Sequence, residues 1–116
     1  FATKRFPNID PKYYTEVVAG MRGAVIGGTC RRANIEGIEV CGKTGTAQNP
    51  HGRDHSAFMG FAPMNNPKIA VAVYVENGGF GAEYGVPIGS LMIEKYLKGE
   101  VKRTEMENQM MNSRIK

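Results

Sequence analysis

Residues 37–48 read GIEVCGKTGTAQ, and two incompatible backbones satisfy that stretch. Gly37, Gly42, Lys43 and Thr44 match the phosphate-loop pattern G-x-x-x-x-G-K-[ST], while Lys43, Thr44 and Gly45 match a K-T-G triplet of serine acyl-transfer chemistry. A phosphate loop needs a glycine-rich turn and then a helix opening at the Lys-Thr, so that amides and helix dipole converge on phosphate oxygens. Here Ile38, Glu39, Val40 and Cys41 alternate like a strand, and Glu39 would repel phosphate. Gly45, Pro50 and Gly52 follow where a helix would have to run. An extended backbone fits better. Thr44 and Thr46 then share one side, where two hydroxyls can grip a carboxylate. Lys43 projects to the other side as a fixed positive charge, and Gly45 leaves the backbone bare for close approach.

Outward from that strand, the pattern predicts an α+β unit. Asp10-Pro11 reads as a helix start, an acceptor side chain followed by a proline at the first helical position. Tyr14, Val17, Val18, Met21 and Val25 recur at the spacing of one buried helical face, and Gly27-Gly28 ends the run. A basic link from Thr29 to Asn34 leads into the alternating stretch Ile35–Ala47. Residues 48–54 form a loop around Asn49-Pro50 and Gly52, and residues 55–63, HSAFMGFAP, form a second strand closed by Pro63. Residues 68–76, KIAVAVYVE, are apolar at nearly every position and predict a third strand covered on both faces. A glycine-rich connection at 77–85 precedes a second helix with Pro87, Ile88, Leu91, Met92, Tyr96 and Leu97 on its apolar side, stopped near Gly99. The links between strands are too short for parallel crossovers, so the sheet should be antiparallel. Residues 100–116 read as a polar, flexible tail beyond a folded portion at 1–99.

Composition narrows the function classes. With 41% hydrophobic and 22% charged residues the 116-residue chain is globular, one domain at most and short for a complete catalytic domain. It opens with Phe1 rather than Met, so it is expected to be a piece of a longer protein. No apolar run reaches the roughly 20 residues that span a bilayer. The net charge of +4 comes from scattered pairs such as Arg31–Arg32 and Lys102–Arg103, not the single basic face that nucleic-acid binding favours. No nucleic-acid partner is expected. Cys30 and Cys41 are too few for a disulfide framework; two buried thiols are the simplest reading, with a bridge open in an oxidising compartment.

GKTGTAQ, followed by FMGFAP, IAVAVYVENGG and EYGVPIGSLMIEKYL, resembles the C-terminal part of the transpeptidase domain of class B penicillin-binding proteins of the elongation type. The resemblance spans about residues 10–99 and implies the serine β-lactamase/transpeptidase-like fold. It also implies a peptidoglycan D,D-transpeptidase that acylates on a serine and passes the stem peptide to an amine. By the same resemblance, Lys43 and Thr46 are catalytic. Lys43 favours the anionic transition state, and the Thr46 N–H is one oxyanion-hole donor. Thr44, Gly45 and Thr46 bind the substrate, the two hydroxyls taking a terminal carboxylate. Implied partners are peptidoglycan stem peptides, β-lactams and the N-terminal part of the same protein, with self-association through an exposed strand edge as a further expectation. The implied location is the cell inner membrane, with the catalytic domain facing the periplasm and the anchor outside this chain. A non-catalytic penicillin- or peptide-sensing domain, or a serine β-lactamase, would share the triplet.

The nucleophile itself is not legible. S-x-x-K should precede K-T-G, whereas Ser113–Lys116, SRIK, follows it in the polar tail, and Ser56 and Ser90 fit no motif. The chain alone is therefore expected to be inactive. His51, Asp54 and His55 lie around Pro50 and Gly52, in a loop rather than on the helix face that would bring both histidines to one metal, so no metal and no cofactor is expected. Gly78, Gly79, Gly81 and Gly85 miss the dinucleotide pattern by one residue and read as a turn.

Overall fold

Cys41–Ala47 (β1), His55–Ala62 (β2) and Ile69–Val75 (β3) pair antiparallel in the order β1-β2-β3, as strands joined by short links must. The computed structural model describes residues 2–115. Lys12–Gly27 (α1) precedes the sheet, with a single 3-10 turn at Arg31–Ala33, and Gly85–Lys98 (α2) and Thr104–Asn112 (α3) follow it. The first helix starts as its sequence dictates: the Lys12 N–H donates to Asp10 Oδ1 at 3.0 Å. The second ends on Gly99 at φ 76°, a left-handed cap that suits glycine.

The core is organised by Phe58, which is 2% exposed at the centre of β2. Its ring lies on bare backbone. A Cβ at Gly42, Gly60 or Gly89 would come within 2.5, 2.6 and 2.5 Å of ring atoms, so one glycine from each of β1, β2 and α2 is needed to seat it. Val25, Ile35, Val40, Val86 and Ile93 are the larger members of the buried cluster around it, with Cys30, Ala33 and Ala62 between them.

Four apolar patterns pack differently from their sequence expectation. In α1, Val25 is buried, but Tyr14 and Val17 are exposed and Val18 and Met21 half-buried, because nothing among the described residues covers the first half of the helix. In β3, Ile69, Val71, Val73 and Val75 turn towards α2, whereas Ala70, Ala72 and Tyr74 face solvent; the strand is covered on one face only. The core side of α2 carries Val86, Pro87, Gly89, Ser90 and Ile93, with Gly89 bare where the helix meets the Phe58 ring. Of its expected apolar side, Pro87 is buried and Leu97 packs against the core, whereas Ile88, Leu91, Met92 and Tyr96 line an open groove of about 760 Å³ shared with α3. The extended stretch begins at Cys41, not Ile35, because Gly37 at φ 79° lets Ile35 and Ile38 pair as an isolated bridge.

Residues 100–116, expected to fray, contain α3 and are tied to the core by one ion pair. Glu94, 1% exposed, accepts Arg103 Nε at 2.9 Å and the Lys102 N–H at 3.2 Å. The same guanidinium reaches Ser90 Oγ at 3.2 Å and the Arg32 carbonyl at 2.9 Å. A carboxylate buried this deeply has to be paired, and the pairing turns the chain back onto α2.

Gly89→Ala provides a test in which two effects have opposite signs. Helix propensity alone would make the variant more stable by about 1 kcal/mol. The contact with the Phe58 ring is expected to win, with a net loss of about 1–3 kcal/mol in urea unfolding.

Candidate active site

The K-T-G segment lies extended at a sheet margin. Within β1, Lys43 stands opposite Met59, Thr44 opposite Phe58, Gly45 opposite Ala57 and Thr46 opposite Ser56. Residues two apart share a face, so Thr44 and Thr46 lie on the side that carries α2, and Lys43 and Gly45 on the other. On that other side Lys43, Gly45, Ala57, Met59, Ala72 and Tyr74 border a shallow recess of about 280 Å³. Lys43 and Thr46 are exposed; Thr44 and Gly45 are half-buried. The phosphate-loop alternative fails on this geometry, since Lys43 and Thr44 are mid-strand and no helix opens there.

The outer edge of this strand is directional. Lys43 Nζ donates to the Thr44 carbonyl at 2.8 Å, and the Thr44 amide faces the Cys30 thiol. Both backbone groups of Thr44 thus point away from β2. In an antiparallel ladder the pattern repeats every second residue, so the Thr46 N–H points the same way. At its near end the edge meets the turn after α1, where Thr29 Oγ1 lies 2.9 Å from Thr44 Oγ1.

Two loops brace the far end. The Asn49 N–H donates to Asp54 Oδ1 at 3.0 Å, Asn49 Nδ2 donates to Asn77 Oδ1 at 2.9 Å, and the Gly79 N–H donates to the Asp54 carbonyl at 2.8 Å. The first of these bonds closes residues 48–54 on themselves, and an Arg53–Glu83 ion pair at 2.9 Å adds a third tie between the two loops. Gly81 then passes close behind β1: a Cβ there would stand 2.7 Å from the Gly45 carbonyl oxygen. The glycine-rich run signalled a tight connection, but not that it would press against the K-T-G backbone.

The remaining candidates resolve as structure. Ser56 is fully buried, donates to the Phe80 carbonyl at 2.8 Å and accepts the Gly85 N–H at 3.0 Å. Ser90 donates to the Pro87 carbonyl at 2.9 Å. Ser113 donates to the Gln109 carbonyl, and Lys116 of the SRIK match lies outside the described residues. His55 Nδ1 accepts the Asn77 N–H at 2.9 Å, which fixes its ring as a loop brace. Among the described residues no three His, Cys, Asp or Glu side chains converge as a metal site. Cys30 and Cys41 are free and buried. Burial holds both thiols above the ordinary value of 9.0; for Cys30 the Thr29 hydroxyl, the Thr44 amide and the Lys43 charge oppose it, and for Cys41 the charge of Arg22 does.

An exposed K-T-G strand at the edge of an antiparallel sheet, backed by a C-terminal helix, defines the penicillin-recognising class of serine acyl-transfer folds. The chain belongs to the family of the penicillin-binding protein transpeptidase domain, whose profile matches residues 2–94. Among curated proteins it is similar to the peptidoglycan D,D-transpeptidase PbpA of Mycobacterium tuberculosis, 41% identical over an 81-position alignment that covers 60% of this chain and 16% of that protein. It is likewise similar to the peptidoglycan D,D-transpeptidase MrdA of Haemophilus influenzae, 33% identical over a 97-position alignment that covers 70% of this chain and 15% of that one. The chain therefore spans about a sixth of the length of these relatives. Among solved structures, penicillin-binding protein A from M. tuberculosis as an imipenem acyl-enzyme superposes with a TM-score of 0.72 at 34% identity, over 82% of this chain and 21% of that one. Pseudomonas aeruginosa PBP2 gives 0.65 at 39% identity, over 84% and 23%.

The raised thiol pKa values set a pH dependence. Above pH 9.0 the unfolded chain releases protons that the folded chain retains, so the stability these thiols contribute is present below that pH and is lost as pH rises beyond it. The urea midpoint of the protein is expected to fall between pH 8 and pH 10, and a Cys30→Ala/Cys41→Ala variant to show a shallower fall. Parallel curves for the two would contradict the assignment.

Proposed function

We propose that this chain, residues 1–99 above all, forms one wall of the active site of an elongation-type class B peptidoglycan D,D-transpeptidase. The nucleophilic serine and its lysine belong to a part of the protein outside this chain. In the reaction that serine's oxygen forms an ester with the penultimate carbonyl of a stem peptide as the amide C–N bond breaks and the terminal residue leaves. An amine of a neighbouring strand then attacks the ester, the new peptide bond forms and the serine is released. A β-lactam enters the same first step and stops there.

The outward-turned edge at Thr44–Thr46, beside a lysine charge and two hydroxyls, carries this reading. Substrate backbone adds to that edge as an extra strand next to Gly45. The Thr44 and Thr46 hydroxyls donate to the terminal carboxylate. The Thr46 N–H donates to the oxyanion that develops on the attacked carbonyl, and Lys43 favours that negative charge; removing one such donor typically slows turnover by a factor on the order of 10²–10³. No helix among the described residues is long and apolar enough to cross a membrane. The anchor is placed outside this chain, in the inner membrane, with the catalytic domain in the periplasm, where cross-linking maintains the wall and the cell shape. The open edge of β3 and the bare faces of α1 and the sheet take the rest of the domain, and in its absence a second copy. Residues 100–116 lie beyond the catalytic portion.

Fluorescent penicillin separates the whole from the part. The full-length protein is expected to form a covalent adduct that survives denaturing electrophoresis, and the 116-residue chain to form none. Labelling of the isolated chain would place a nucleophile within it and overturn the proposal.

A further inference from the structure

Thr29 takes no part in the acyl transfer described above, yet its hydroxyl, which also faces the protonated Cys30 thiol, is bonded to that of the K-T-G threonine. Thr29 is exposed, and both of its neighbours are locked. Gly28 lies so close to α1 that a Cβ there would stand 2.9 Å from Ala24 Cα. Cys30 is fully buried, with its N–H donating to the Ala24 carbonyl at 3.0 Å. An exposed side chain on an immobilised turn is held at 2.9 Å from Thr44 Oγ1, fifteen positions further along the chain.

Counting protons gives this contact a direction. Each hydroxyl has one proton to donate and two lone pairs to accept with. A carboxylate is acceptor-only, so Thr44 can bind one only by donating its single proton outwards. The proton in the Thr29–Thr44 contact must then come from Thr29. We propose that Thr29 is a positioning residue: by donating to Thr44 Oγ1 it holds the Thr44 hydroxyl as a donor aimed at the ligand carboxylate, and so contributes to recognition of carboxylate-bearing substrates. A donor that is itself accepting a hydrogen bond is polarised and binds an anion more strongly. This inference rests on the assignment of Thr44 as a carboxylate-binding residue.

The test uses the full-length protein and two probes, benzylpenicillin and its methyl ester, in which the carboxylate is masked. The readout is the ratio of their second-order acylation rates, which general damage to the fold would not move. Thr29→Val is expected to lower the acid-to-ester ratio about 3- to 10-fold, in keeping with the loss of one hydrogen bond in a charged relay. Thr29→Ser, which keeps the hydroxyl, is expected to restore it. Thr44→Val is run beside them and is expected to lower the ratio at least as far. If Thr44→Val lowers the ratio and Thr29→Val leaves it unchanged, or slows acid and ester equally, Thr29 does not position Thr44. If Thr44→Val itself leaves the ratio unchanged, the carboxylate assignment fails and the inference falls with it.

Discussion

Everything in this chain that bears on function depends on one aromatic ring resting on three glycines. Phe58 sits where β1, β2 and α2 meet, and Gly42, Gly60 and Gly89 leave no side chain beneath it. Because the backbone itself is in contact with the ring, the spacing of helix and sheet is set by hard contact and not by adaptable side chains. Thr44, directly opposite Phe58, inherits that rigidity. The site proposed here, with its hydroxyls and amide, gains from being built on such a strand rather than on a loop.

The margin of β1 is finished from two directions that are remote in sequence. The turn after α1 brings Thr29 and Cys30 against its near end, and the loop of residues 77–85 brings Gly81 against the Gly45 carbonyl. Between them the stretch from Thr44 to Ala47 keeps an edge with no partner strand among the described residues. Exposed edges invite unwanted pairing and are usually blunted or covered. This one has side chains at Thr44 but no strand along it, next to a lysine charge, an arrangement that suits a strand-shaped, anionic ligand.

The sequence disclosed the antiparallel sheet, its three strands and the helices at each end, because period-2 alternation, short links and glycine or proline punctuation are local signals. It also showed which side of the strand each K-T-G residue would take. What it misjudged were the partners of apolar surfaces. The apolar spacing of α1 and the apolar run of β3 are genuine, but Tyr14, Val17 and Tyr74 face solvent in this chain, which spans about a sixth of its relatives' length. Part of the core side of α2 was hidden for the opposite reason: Gly85 and Gly89 are what fit against Phe58, and glycine carries no hydrophobic signal. In the sequence Thr29 is one residue of a basic link, and nothing at that position announces a contact with Thr44. The polar tail carries no sign of its anchor, because a buried glutamate cannot be recognised until its arginine is seen beside it.

The central claim is that the backbone edge at Thr46 is open and waiting for a ligand, and residue-resolved amide hydrogen exchange of the full-length protein tests it most directly. In the free protein the Thr46 amide is expected to exchange quickly while those of Lys43 and Gly45, turned towards β2, are slow; acylation by a β-lactam should then slow Thr46 by at least about tenfold, as a new hydrogen bond at that amide requires. A Thr46 amide already protected in the free protein, or one whose exchange is unchanged by acylation, would contradict the account.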